Sequence, residues 1–183
     1  DPVNPYVFPV RAGHYDEFAR LIEQSLRYGM NRIAFVHADS DTGRKHLANV
    51  RRLAGDRGID VAPIAMSTGL TPAALADTIA RARVDAVFNH GSYSVYVGII
   101  KALRAKGLHP MFMAVNSGAA QMARELGPEG RGLVFTQVVP FPWGVAVPVV
   151  KEYQQALAKY APATQPSFSG LEGYIGAKVL VAG

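Results

Sequence analysis

The sequence predicts an α/β fold, a Rossmann-like three-layer sandwich around a five-stranded, mainly parallel sheet. Two observations carry this. Short apolar runs alternate with amphipathic stretches of helical length from Arg32 onward, the pattern of βαβ units with parallel pairing and right-handed crossovers. Three runs, Ile33 to Gly43, Val84 to Tyr96 and Met111 to Met122, also pass through a short polar turn directly into a helix. In neighbouring parallel strands such turns share one edge, at the carboxyl ends, where open α/β sheets bind ligands.

The first element is a helix from His14 to Tyr28, in which Phe18, Leu21, Ile22 and Leu26 recur at helical spacing, with Asp16, Glu17, Arg20 and Glu23 between them and Gly29 as the stop. Arg32 to His37 reads as a buried strand. Asp39, Ser40 and Asp41 offer caps to the next helix, whose stripe is Leu47, Val50, Leu53 and Ala54, with Gly58 as its end. A strand over Asp60 to Met66 precedes Thr71-Pro72, a hydroxyl cap followed by proline at the first helical position. Asp85 to Asn89 is the third strand and Ser94 to Lys106 the helix after it. Met111 to Val115, a short helix over Ala119 to Leu126, and a strand over Gly132 to Val138 complete the alternation.

The alternation then fails. Pro140-Phe141-Pro142-Trp143-Gly144 is a stiff, extended connector, and two helices follow with no strand after either: Pro148 to Tyr160 and Phe168 to Ala182. Tyr153, Leu157, Tyr174 and Ile175 on these helices want a partner surface, and pairing with a second copy of the chain is one way to supply it.

With 183 residues the chain is long enough to bury a real core, and without cysteine it has no disulfide or thiolate metal site. The net charge of +5 is spread over several helices, with no aromatic interleaving of the kind single-strand readers use, so nucleic acid is not an expected partner. The longest apolar stretch, Val138 to Val150, is broken by Pro140, Pro142 and Pro148 and is not a membrane span. No basic start followed by an apolar run opens the chain, and Asp1 to Phe8 reads as an extended segment already under way, the expectation for an excised fragment.

Several motifs have competing readings. Gly127-Pro128-Glu129-Gly130-Arg131-Gly132 resembles a phosphate loop, but it lies between helix and strand rather than strand and helix, so a plain turn is expected. His14, His37, His46, His90 and His109 are scattered without metal-ligand spacing, although His37 and His90 close two strands; no metal and no cofactor is expected. Ser92 near His90 lacks the elbow of a nucleophilic serine, so no catalytic residue is assigned. Gly91-Ser92-Tyr93 reads instead as a helix start with open N–H groups, a capping hydroxyl and an aromatic wall, suited either to a polar ligand head or to capping alone. Asn116-Ser117-Gly118 repeats the theme, as ligand contact or as a cap, and Asp39 to Thr42 does so more weakly.

The order of these elements resembles the leucine/isoleucine/valine-binding type of solute receptor from ABC importers. The similarity lies in Tyr6 to Ala12, Asn31 to Val36 with Thr42-Gly43, Asp85 to Phe88 with its Gly91-Ser92-Tyr93 turn, Gly132 to Pro140, and Leu171 to Lys178. The resemblance implies two Rossmann-like lobes joined by crossing segments, with a small solute held between them. On that plan residues 1–12 are the first crossing, 13–138 the second lobe and 139–147 the second crossing and connector. Residues 148–183 are then two helices of the first lobe, whose sheet is missing.

The resemblance also implies a non-enzymatic receptor, periplasmic or extracytoplasmic, working with a membrane permease. A ligand-sensing regulatory or receptor domain of the same fold is the alternative. Tyr93 falls at the family's ligand-facing tyrosine, with Ser92 beside it, and Thr42 falls at a ligand-facing aromatic position. Asn116 falls where amino-acid binders carry an acid. An amide cannot supply the charge that a desolvated ammonium needs, so amides, urea-like solutes and carboxylates stand beside amino acids as expected ligands.

Overall fold

The structure, a computed structural model, describes residues 9–182. The chain divides into two units: His14–Thr136, and the residues before it taken with those from Gln137 onward. The first crossing expected on residues 1–12 therefore lies largely outside the described residues.

The larger unit runs α1 (His14–Arg27), β1 (Arg32–Ala38), α2 (Asp41–Gly55), β2 (Asp60–Met66), α3 (Pro72–Ala82), β3 (Ala86–His90), α4 (Tyr93–Ala105), β4 (Met111–Ala114), α5 (Ala119–Leu126) and β5 (Val134–Phe135). The sheet order is β2-β1-β3-β4-β5, and every pairing is parallel. Strand β1 is buried along its whole interior, as a strand covered on both faces must be. Its alternate residues feed two cores. Ile33 and Phe35 join Phe88 and Met113 beneath Phe18 and Ile22 of α1 and Val50 of α2. Ala34 and Val36 join Val87 and Phe112 beneath Ile79 of α3, Ile100 of α4 and Met122 of α5. Helices thus cover both faces, in three layers.

Local chemistry sets the helix starts. Ser40 Oγ accepts from the Gly43 amide at 3.1 Å, and Thr71 Oγ1 accepts from the Ala74 amide at 3.2 Å with Pro72 in the first turn. Each cap is worth about 1 kcal/mol. Ser40→Ala and Thr71→Ala are each expected to lower stability by about that much in chemical denaturation. Unchanged midpoints would show that water caps these helices equally well.

The fifth strand is shorter than the expected Gly132 to Val138. Gly132 turns the chain at φ +83, and the Thr136 amide bonding to Ala114 O at 3.2 Å is the last link to β4. The glycine-rich run before it is the turn its context predicts, a short 3-10 segment over Gly127–Gly130.

In the smaller unit no helix or strand forms from Gln137 to Val147, after which come α6 (Pro148–Tyr160) and α7 (Phe168–Ala182). Val139, Val150, Tyr153 and Leu171 are buried, with Leu157, Phe168, Tyr174 and Ile175 packed against them. Tyr153 and Tyr174 lie 5.7 Å apart, and the Tyr153 hydroxyl accepts from the Ser167 amide at 3.2 Å. The four side chains that argued for a second copy of the chain therefore pack on one another, and that argument for a homodimer falls away. Among the described residues no helix is long and apolar enough to cross a membrane.

Candidate functional site

In the larger unit the strand order doubles back at β1 and β3, so the ends of these strands border a switch point. The register pairs His37 with His90 and Asn89 with Ala114. One residue further on, Ala38, Gly91 and, two past Ala114, Asn116 stand at one level. The turns carrying Thr42, Ser92, Tyr93 and Asn116 thus leave along a single rim.

Close contact joins two of these turns. A Cβ at Gly118, whose φ is +78, would fall 2.9 Å from Tyr93 Cβ, so the α4 start is packed directly on the Asn116-Ser117-Gly118 turn. Tyr93 remains 37% exposed, enough to offer a ring face, and Thr42 and Ser92 are exposed on the same rim. Two expectations need correction. Ser92 precedes α4 but makes no capping hydrogen bond; its hydroxyl pairs with that of Ser94 at 2.9 Å. Asn116 does not cap α5, because Gly118, with its left-handed backbone, occupies that place.

A buried glutamate that sequence reading passed over organises the rim. Glu17 Oε2 accepts from the Asn116 amide at 3.0 Å and from the Thr136 hydroxyl, while Oε1 pairs with His14 Nδ1 at 3.0 Å. Glu17 is 3% exposed. It fastens the first turn of α1 to the ends of β4 and β5. Helical spacing contained the signal: Glu17, Leu21 and Ser25 fall four apart, on the apolar face.

The histidines are not scattered in space. The rings of His14 from α1, His46 from α2 and His90 from β3 lie 5.8, 4.7 and 4.2 Å apart, centroid to centroid, for the pairs 14–46, 14–90 and 46–90. Phe18 packs edge-on against both His46 and His90. His37, by contrast, stacks on Phe35 and pairs its Nδ1 with Ala38 O at 2.9 Å. Burial pushes His90 down to about 4, helped by the charges that His46 and His14 would carry and opposed by Glu17. His46 is lowered too, by burial and then by His14, and its buried Nδ1 has no hydrogen-bond partner. Among the described residues no group of three or more histidines and carboxylates has the geometry to hold a metal ion.

The turns and helix starts along this rim carry hydroxyls, an amide and an aromatic ring. A cavity of about 280 Å³, lined by residues that include Ile79, Arg83, Asp85, Leu103 and His109, opens instead at the opposite edge, before β3 and β4, away from these turns. Some of the basic residues spread over these helices make exposed ion pairs, Lys106 with Asp77 and Arg44 with Asp39 and Asp41.

Comparison with known proteins agrees with this architecture. The periplasmic binding protein family model matches residues 1–183. An extracellular ligand-binding receptor from Verminephrobacter eiseniae is similar at 28% identity and a TM-score of 0.86, covering 97% of this chain and 52% of that one. The fold is shared with a leucine binding protein from Thermotoga maritima, at 19% identity and a TM-score of 0.83, covering 99% of this chain and 52% of that one. It is shared too with a branched chain amino acid ABC transporter protein from Thermus thermophilus with bound valine, at 19% and 0.72, covering 88% and 43%. The chain spans about half the length of these relatives. A search of curated proteins found no match. Because the family model fits from the first residue to the last, over a fold shared with solved receptors, the chain belongs to the periplasmic binding protein family.

Proposed function

We propose that residues 13–138 form one ligand-binding lobe of an extracytoplasmic solute receptor for an ABC importer, with 139–147 as connector and 148–183 as helices of the other lobe. The rim of β1, β3 and β4 receives a small polar solute, an amide, carboxylate or amino acid, without transforming it. Tyr93 supplies a flat wall, Ser92 and Thr42 hydroxyls, and Asn116 an amide that both donates and accepts. The observation that carries this reading is the packing of Tyr93 against Gly118, which brings the aromatic residue and the turn that carries Asn116 together on the rim next to the switch point. Family membership supports the receptor class, and the names of the relatives support the importer and its compartment.

Calorimetric titration with panels of amino acids, amides and carboxylates tests it. One lobe buries only part of a solute, so weak binding is expected from this chain alone. Tyr93→Ala is expected to weaken it roughly tenfold, equivalent to about 1.4 kcal/mol, while leaving the unfolding midpoint in place because the ring is half-exposed. Turnover of any solute, or full affinity in the variant, would reject the reading.

A further inference from the structure

We propose that the His14–His46–His90 cluster is a proton-operated latch on the solute-bearing rim. It holds while His46 and His90 are neutral and is released on acidification. The geometry carries it: α1, α2 and β3 each contribute one ring, and the ring centroids lie 4.2 to 5.8 Å apart. Neutral imidazoles pack together and against Phe18 as aromatic surfaces. Protonated ones, at these separations, repel. Release reaches the rim because the first turn of α1 carries both His14 and Glu17, and Glu17 holds the Asn116 amide and the Thr136 hydroxyl.

The groups facing the cluster are few. From α1 come His14, Tyr15 and Glu17; from α2, His46; from β1, His37, set apart behind Phe35. Asp39 and Arg44, near the start of α2, are paired with each other. Of these groups, Glu17 favours a charged His90 and the other two histidines oppose it. The sign follows. A histidine kept neutral in the closed form takes its proton more readily once the cluster opens, so opening gains as pH falls from 6.5 toward about 4 and is disfavoured above that window. One such group is enough for roughly a twentyfold gain in the open form between pH 7 and pH 5.

This adds a regulation to the rim of the proposed receptor and rests on that reading for the presence of a solute, but its test uses none. Histidine ring resonances and amide hydrogen exchange are followed in the whole chain from pH 8 to pH 4.5. His90 is expected to titrate more than one pH unit below 6.5. Protection of the Asn116 amide, corrected for intrinsic exchange, is expected to fall roughly tenfold or more between pH 7 and pH 5, and to hold nearly constant in His90→Gln. His90→Phe, which keeps an apolar ring against Phe18, serves if His90→Gln fails to fold. Titration of His90 at 6.5 would overturn the latch. So would an equal loss of protection in the variant, which assigns the change to Glu17 itself. Failure to bind any solute would reject the receptor reading and leave both titrations standing.

Discussion

Glu17→Leu is expected to destabilise the larger unit by about 3 kcal/mol, from roughly 1–3 kcal/mol for each donor left without an acceptor. The carboxylate is buried at the first turn of α1 and receives the Asn116 amide and the Thr136 hydroxyl on one oxygen. Leucine fits the apolar face of the helix but offers neither donor an acceptor. Unfolding followed by circular dichroism should show a midpoint lower by roughly 10 °C, at ~2–4 °C per kcal/mol for a chain of this size. Glu17→Gln keeps one acceptor oxygen and is expected to lose less than half as much. Solute binding should weaken with it, because the Asn116 turn is then tied down only from β4. A Leu variant that melts with the parent would show that water replaces the carboxylate and that the rim needs no anchor from α1.

The contrast between what was legible in this sequence and what was not has a physical origin. Strand and helix periodicities are local, so every element of the sheet was visible, down to the Thr71-Pro72 start. The common rim was legible too, because parallel strands in order force their carboxyl ends to one side. Glu17 was legible only in its spacing to Leu21 and Ser25; its partners, the Asn116 amide and the Thr136 hydroxyl, lie 99 and 119 residues away. The histidine cluster was hidden for the same reason: spacing tests for metal or proton chemistry compare neighbours in sequence, whereas His14, His46 and His90 meet only once α1 and α2 cover the same face. The capping role expected of Ser92 failed on a choice that composition does not reveal. Its hydroxyl had a second hydroxyl, Ser94, within reach.

Gly43→Ala is the substitution expected to disturb the rim most directly. A Cβ at this position would stand 1.9 Å from Ala38 O and 2.9 Å from Ala38 C, both backbone atoms at the end of β1. No rotamer change relieves a clash with backbone, so the start of α2 must move off the strand. That movement also pulls the Gly43 amide from its cap on Ser40 and shifts Thr42 with it. Overpacking typically costs ~1–3 kcal/mol and the lost cap about 1 more, so a fall of roughly 3 kcal/mol is expected in urea denaturation. Gly55, the last residue of the same helix, is the control: its Cβ would meet nothing within 4 Å, and its backbone is not left-handed. Gly55→Ala is expected to be neutral or to add up to about 1 kcal/mol. Equal effects from the two substitutions would mean that helix propensity, not the approach of α2 to β1, governs the response. A stable Gly43→Ala variant would show that the rim tolerates a displaced α2, and Thr42 would then lose its claim to a fixed place on that rim.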